Sequence, residues 1–127
     1  KLWSYQVNFL KRQEIMPSDE NVEYFYSDAF FDFRDDGNGM TKNTLFSYWK
    51  NEQGVIEKDL LYFNEIKEVK ADYAKSPLTT SSLTVIDYDG NEMLLFLSNE
   101  DDLDRRFVAK VKQRLKESTL ATEQNAD

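Results

Sequence analysis

The sequence predicts an α+β domain in which an antiparallel, strongly bent β-sheet of about seven strands is capped by a C-terminal amphipathic helix and preceded by an extra N-terminal helix. Three observations predict this class. Apolar residues recur with helical spacing at both ends of the chain, aromatic-rich alternating segments separated by turn residues fill its middle, and the length of 127 residues suits one domain.

The first element is predicted to be an amphipathic helix over residues 1–15. Its apolar side chains recur at spacings of three and four: Leu2, Trp3, Val7, Phe9 and Leu10. Met16-Pro17 ends the helix, because the residue before a proline is pushed out of helical geometry. The helix either packs on the domain or forms a membrane-proximal or partner-binding element, and the sequence leaves both open.

The middle of the chain is predicted to consist of strands and turns. VEYFYSDAFFDF, from Val22, predicts two short strands broken near Ser27-Asp28. DDGNG at 35–39 and NEQG at 51–54 predict chain reversals, since their residues tolerate positive φ. NEIKEVKADY alternates ambiguously, and we assign it to a strand. The strongest hairpin signal is Asp89-Gly90, which separates LTVIDY from NEMLLFLS.

The last element is predicted to be the clearest helix. Ser98 precedes Asp101 by three residues, as in a capping box, and acidic residues before basic ones match the helix dipole. One apolar stripe should lie on the sheet: Leu103, Phe107, Val108, Val111 and Leu115. After Glu117 the chain is polar, so residues 118–127 are assigned to a disordered tail.

Composition excludes several classes of function. A net charge of -8 repels nucleic acid and anionic lipid headgroups. The chain has neither Cys nor His, which removes disulfides, thiolate chemistry, the usual general base and the commonest transition-metal ligand. No apolar run is long enough to span a membrane. We expect no catalytic residue, no metal and no cofactor.

Four segments together carry a family resemblance: EYFYSDAFF, DDGNGMTKNTLFSYWK, LLYFNEIKEV and FVAKVKQRL. The chain resembles bacterial pleckstrin-homology-like (PH-like) domains of uncharacterised small membrane-anchored proteins. The resemblance implies a PH-like split barrel over residues 19–117, after an N-terminal helix and linker at 1–18. It also implies a membrane anchor in sequence preceding Lys1, a location at the cytoplasmic side of the bacterial inner membrane, and a soluble domain.

Three sharper sites are weighed against plain structural roles. Phosphoinositide binding is disfavoured, because the loop that would hold Lys and Arg is net negative: Asp32, Arg34, Asp35 and Asp36. A calcium loop drawn from Asp32, Asp35, Asp36 and Asn38, or from Asp87, Asp89 and Glu92, lacks the spacing of known calcium loops. A carboxylate enzyme would need acidic side chains gathered in one cleft.

The sequence therefore predicts a non-enzymatic module for protein interaction or assembly at a bacterial membrane, with a protein partner or self-association and no nucleic acid. The candidate interaction residues are Trp3, Val7, Leu10, Tyr48 and Trp49. The alternative is a small-ligand-binding domain with an aromatic-lined cavity in the sheet, although aromatic-rich strands more often supply core.

Overall fold

A computed structural model describes residues 2–26, 33–76 and 79–125, which fall into two compact units, Lys1–Leu61 and Tyr62–Asp127. The helices and strands follow one another in this order: α1 (Ser4–Arg12), β1 (Tyr24–Tyr26), β2 (Asp36–Met40), β3 (Thr44–Lys50), β4 (Ile56–Tyr62), β5 (Ile66–Asp72), β6 (Ser81–Asp87), β7 (Glu92–Leu97) and α2 (Leu103–Asn125).

The strands form two antiparallel sheets, with orders β1-β2-β3-β4 and β5-β6-β7. The predicted α+β class, with its antiparallel strands and its two terminal helices, is confirmed. Neither sheet is closed on itself among the strands that the structure describes, so the strands do not form one continuous closed barrel. The second strand predicted after Ser27-Asp28 falls on residues 27–32, which lie outside the described residues.

Helix α1 ends three residues earlier than the proline predicts. Glu14 has a positive φ of 57° and lies directly after the C-cap residue Gln13. The amide of Ile15 donates to the carbonyl of Leu10 at 2.9 Å, and the amide of Glu14 donates to that of Lys11 at 3.1 Å. This is the Schellman arrangement, with a glutamate where glycine is usual.

The core of the first unit joins α1 and the residues after it to β3. Its buried members are Phe9, Leu10, Ile15, Met16, Phe46 and Tyr48. Phe25 of β1 packs against this cluster, with its ring centroid 6.4 Å from that of Tyr48. The N-terminal helix and its linker therefore share a core with the strands rather than forming a separate segment.

The predicted chain reversal at DDGNG is wrong, because residues 36–40 form strand β2. Gly37 pairs with Tyr48 across the sheet, and Gly39 pairs with Phe46. A Cβ atom at Gly37 would lie 2.6 Å from the Tyr48 hydroxyl oxygen. The glycines thus leave space above β2 for aromatic rings from neighbouring strands, which turn propensity alone does not reveal.

The β2–β3 connection instead lies at residues 41–43. The hydroxyl of Thr41 donates to the Glu20 carboxylate at 2.5 Å and accepts the amide of Thr44 at 3.1 Å. Because that hydroxyl has one proton, the Thr44 hydroxyl is the donor in the 2.6 Å contact between the two threonine oxygens. Glu20 thereby ties the linker after α1 to this turn.

The other two turns are confirmed. Asn51 caps the β3–β4 turn, with its side-chain oxygen accepting the amides of Gln53 and Val55 at 3.0 Å each. Between β6 and β7, Gly90 has a φ of 88°, as the Asp-Gly pair predicts. The assignment of residues 66–72 to a strand is also confirmed.

Helix α2 begins and ends differently from the prediction. The Ser98 hydroxyl accepts the amide of Glu100, two residues on, rather than forming a capping box with Asp101. A 3-10 turn, Glu100–Asp102, precedes the helix. At the other end, α2 continues to Asn125 instead of giving way to a tail after Glu117. The segment contains neither Gly nor Pro to stop it.

In the second unit, α2 is held to its sheet by both apolar and polar contacts. Phe107, Val108 and Val111 are buried, in agreement with the predicted stripe, whereas Leu103 is 42% exposed. The Ser81 hydroxyl at the start of β6 donates to the buried Asp104 carboxylate at 2.6 Å. This bond fixes the first turn of the helix against the sheet.

Candidate interaction surface

The five residues predicted from the sequence do not form one surface. Leu10 is 0% exposed and Tyr48 is 1% exposed, and both belong to the core of the first unit. Val7 is half-buried. Trp3 and Trp49 are the two with large exposed areas, at 70% and 39%. Leu10 and Tyr48 therefore stabilise the fold, and the two tryptophans provide most of the exposed surface among the five residues.

The two tryptophans are held differently. Trp49 lies at the end of β3, where its indole N–H donates to the Glu57 carboxylate at 2.8 Å. Trp3 precedes α1, and its backbone amide donates to the Gln6 side chain at 2.8 Å while its indole ring extends from the unit. Tyr5 is also 62% exposed. The start of α1 therefore displays two aromatic rings.

A larger exposed apolar feature lies on β7 of the second unit. Met93, Leu95 and Leu97 are buried, whereas Leu94 is 46% exposed and Phe96 is 50% exposed. Because successive side chains of a strand point to opposite faces, Leu94 and Phe96 share the outward face of the sheet. We call this the β7 outer face.

The neighbours of this pair are uncharged on the adjacent strand. Across from β7, Thr84 pairs with Leu94 and Ser82 pairs with Phe96. Charge flanks them: Glu92 lies on the same face of β7, two residues before Leu94, and on β5 Lys70 is opposite Thr84 and Asp72 is opposite Ser82. The β7 outer face thus has an apolar edge, a polar middle and a charged border, which is the pattern of a protein contact with a rim.

The acidic residues that the sequence disfavours as calcium ligands do not converge in the described part of the chain. Asp35 pairs with Lys50, with its carboxylate oxygen 3.0 Å from the lysine nitrogen, and Asn38 is buried within β2. Asp32 lies outside the described residues. In the ranges that the structure describes, no three acidic side chains gather as a metal site would require.

Asp87 serves the turn rather than a metal. Its carboxylate accepts the amides of Asp89 at 2.9 Å and Asn91 at 2.8 Å. Desolvation raises the pKa of this carboxyl, but the hydrogen bonds from Asn91, Asp89 and Gly90 together lower it by more, so the pKa lies below its usual 3.8. Asp87 is therefore a structural capping group.

The aromatic-lined cavity of the alternative hypothesis is filled in the first unit. The Phe9 and Tyr48 ring centroids are 6.1 Å apart, and those of Phe25 and Phe46 are 6.5 Å apart, so the rings pack on one another. A surface depression of about 470 Å³ lies in the second unit, between the segments 74–76 and 98–100. None of the described residues that line it is aromatic.

The β7 outer face could not be predicted from the sequence, for a physical reason. The run MLLFL is apolar at every position, so it has no alternation from which to tell an outward side chain from an inward one. Only the pairing register assigns Leu94 and Phe96 to the outside. One weak indication was present: a strand that pairs with LTVID has two faces, so about half of the residues in MLLFL should point outward.

Two solved structures resemble this chain. One is a DUF1696-family protein with a pleckstrin-homology domain from Shewanella loihica PV-4, with a TM-score of 0.61, 13% identity, and 92% of each chain covered. The other is a pleckstrin homology domain from Shewanella amazonensis SB2B, with a TM-score of 0.58, 13% identity, and 87% of this chain and 82% of that one covered.

No protein-family model and no curated protein matches the sequence. None of the described helices combines the length and apolarity needed to cross a bilayer. The resemblance read from the sequence agrees with the structural comparison, since both solved structures contain a pleckstrin-homology domain. The chain therefore has the pleckstrin-homology-like fold found in bacterial proteins.

Proposed function

We propose that this chain is a non-enzymatic protein-interaction domain and that the β7 outer face is its contact surface for a partner protein. The observation that carries the proposal is the pair Leu94 and Phe96, exposed side by side on a strand whose other apolar residues are buried. Isolated exposed apolar residues are common, but an adjacent pair framed by polar and charged residues is typical of protein contacts.

The partner we assign is a polypeptide that presents apolar side chains. The uncharged middle row, Thr84 and Ser82, would remain beneath the partner without burying a charge. The border residues Lys70 and Asp72 have opposite signs, so they would orient the partner more than attract it. The contact is small and suits a transient complex rather than an obligate one.

The test places the photocrosslinking amino acid p-benzoylphenylalanine at position 96 of the full chain, in cells of the source organism. The matched control has the same group in place of Val55, an apolar residue of the other unit that is 57% exposed. We expect a discrete crosslinked product from position 96 only, which disappears when Leu94→Lys is added. Equal products from both positions, or none from position 96, would contradict the proposal.

We also propose that the chain acts at the cytoplasmic side of a bacterial inner membrane, with α1 next to the bilayer. Trp3 and Tyr5 support this location, because exposed aromatic rings near a membrane prefer the headgroup region. Lys11 and Arg12, in the last turn of α1, add positive charge to the same helix. An anchor in sequence preceding Lys1 would place the start of α1 at the lipid.

This location can be tested by tethering. The Trp49→Phe variant keeps Trp3 as its single tryptophan. We would attach it to nickel-chelating vesicles through a hexahistidine tag at either end of the chain. A blue shift of Trp3 emission with the N-terminal tether, and not with the C-terminal one, would support a membrane-proximal α1. Identical emission spectra in both orientations would count against it.

A further inference from the structure

Six of the sixteen basic residues lie in one stretch of α2, from Arg105 to Lys116, and no acidic residue interrupts them. The chain as a whole has a net charge of -8, so this helix is locally opposite in sign to its surroundings. A charge order that matches the helix dipole does not explain it, because the basic residues occupy the middle of a helix that continues to Asn125.

Three of these cations form a single stripe. At 3.6 residues per turn, positions 105, 112 and 116 lie within roughly 40° of one another around the helix axis. Arg105, Lys112 and Lys116 are all exposed, and their sector of the helix is centred roughly 110° from that of the buried Phe107, Val108 and Val111. The stripe is about 16 Å long at a rise of 1.5 Å per residue. We call it the α2 basic stripe.

One side chain of the stripe is held in place by a neighbouring ring, and the other two make no ion pair in the described part of the chain. The Arg105 guanidinium lies over the ring of Tyr73, 4.1 Å from its centroid, which restricts its side chain while leaving its edge N–H groups accessible. Lys112 and Lys116 form no ion pair with any side chain in the described part of the chain. By contrast, Arg114 on another side of the helix is bonded to Glu117.

We infer that the α2 basic stripe binds an acidic polypeptide segment, one whose carboxylates are spaced along a helix. The inference rests on the proposed interaction role but concerns a second surface, separate in residues from the β7 outer face. A carboxylate fits the fork of Arg105 in a bidentate manner, and acidic residues at matching helical spacings would meet Lys112 and Lys116 in turn.

Two other polyanions fit less well. A nucleic acid has a dense phosphate charge that the net charge of -8 repels over a longer range than three cations can offset. A lipid surface is bound by helices that place large apolar side chains beside the cations. Between the cations of the stripe lies Ala109, which offers no such side chain.

The probe is an alanine-based helical peptide with glutamates at positions i, i+7 and i+11, labelled for fluorescence anisotropy. A second peptide of the same composition distributes the glutamates around the helix. We expect the full chain to bind the matched peptide at least threefold more tightly than the scrambled one, on the basis of exposed ion pairs worth roughly 0.2–1 kcal/mol each. Binding should weaken as salt rises from about 20 to 150 mM.

The variant Lys112→Glu/Lys116→Glu should lose about tenfold or more in affinity, because attraction becomes repulsion at two positions. Its control, Lys42→Glu/Lys67→Glu, makes the same change in net charge at exposed positions of other elements and should bind nearly as the wild type does. If the charge-reversal variant has a lowered melting temperature, the milder variant Lys112→Gln/Lys116→Gln replaces it in the binding measurement. The Leu94→Lys/Phe96→Lys variant should bind the peptide normally, which separates this inference from the β7 outer face.

Three results would overturn the inference. The first is equal affinity for the matched and scrambled peptides. The second is an equal loss of affinity in the reversal variant and its control. The third is binding to phosphatidylglycerol vesicles or duplex DNA at about 150 mM salt without binding to the matched peptide, which would assign the stripe to a polyanion of another class.

Discussion

At the scale of single residues, the space above Gly37 is a tight constraint in the first unit that side chains alone impose. A methyl group there would lie 2.6 Å from the Tyr48 hydroxyl oxygen and 2.8 Å from the Phe25 ring. Both neighbours are side chains, so the strain can be relieved by shortening one of them. The strain that a larger residue at position 37 would cause can therefore be tested by shortening one of these neighbours.

We predict that Gly37→Ala lowers the free energy of unfolding by about 1–3 kcal/mol, as overpacking does. In a Tyr48→Leu background, the same change should be at least about 1 kcal/mol less costly, because the hydroxyl and ring edge are gone. Urea denaturation of the four chains measures this coupling. Gly54→Ala is the control for the coupling: no atom lies within 4 Å of its added methyl, so its cost, which comes from a φ of 78°, should be the same in both backgrounds. An equal effect of Gly37→Ala in both backgrounds would refute the steric account.

Asp87 gives a pH prediction at the same scale. Its pKa in the folded chain lies below the usual 3.8, so ionised Asp87 stabilises the fold above that pH. This contribution is lost as pH falls through the lower folded pKa. Thermal melts should therefore show a larger difference between wild type and Asp87→Asn at pH 7 than at pH 3. The matched control is Asp59→Asn, which makes the same chemical change at an exposed position on β4.

At the scale of elements, helix α1 ends on a residue that is poorly suited to its conformation. Glu14 has a φ of 57°, a region that glycine occupies without steric penalty and other residues do not. The arrangement persists because Ile15 and Leu10, joined by the closing hydrogen bond, both enter the core. Packing thus outweighs local backbone preference here.

We predict that Glu14→Gly raises the free energy of unfolding by about 0.5–1 kcal/mol, since relief of the left-handed penalty exceeds the added freedom of the unfolded chain. Glu14→Ala should give no gain, because alanine meets the same penalty. Chemical denaturation of both variants decides the matter. If alanine stabilises as much as glycine, the charge of Glu14 rather than its backbone is responsible.

The elements also divide clearly into those that the sequence predicts and those that it does not. Two apolar runs and the turn residues between them predicted β6, β7 and their turn, because Asp89-Gly90 makes its own local hydrogen bonds. For the segment DGNGM, by contrast, the sequence predicted a turn, and the structure has strand β2. Its glycines satisfy contacts with Phe46 and Tyr48, which are distant in the chain, so no local pattern could distinguish this strand from a turn.

At the scale of the whole molecule, the candidate surfaces were harder to predict than the fold. The sequence predicted Tyr48 and Leu10 to be contact residues, but both are buried in the core. Leu94 and Phe96 look like core residues but are exposed. All four are large apolar residues, so residue type alone does not tell a buried position from an exposed one. The strand register and the packing of helix against sheet decide which face each side chain occupies.

The charge of the whole molecule yields a prediction about salt. With a net charge of -8, like charges repel one another in the compact state more than in the unfolded chain. Raising NaCl from about 10 to 200 mM screens that repulsion, so the melting temperature should rise. Glucose, an uncharged solute, should have a smaller effect at the same osmolality. A fall in melting temperature would mean that local ion pairs outweigh the net repulsion.

The shared core of α1 and β3 has a practical consequence for anyone who trims this protein to its strands. A chain cut to begin at Asp19 would lack Phe9, Leu10, Ile15 and Met16 while keeping the rings they cover. Each lost contact of this kind removes roughly 2–5 kcal/mol, and a typical domain has only about 5–15 kcal/mol in total. The shortened polypeptide should therefore be recovered as insoluble aggregate, with the Phe46 and Tyr48 rings among the surfaces that adhere.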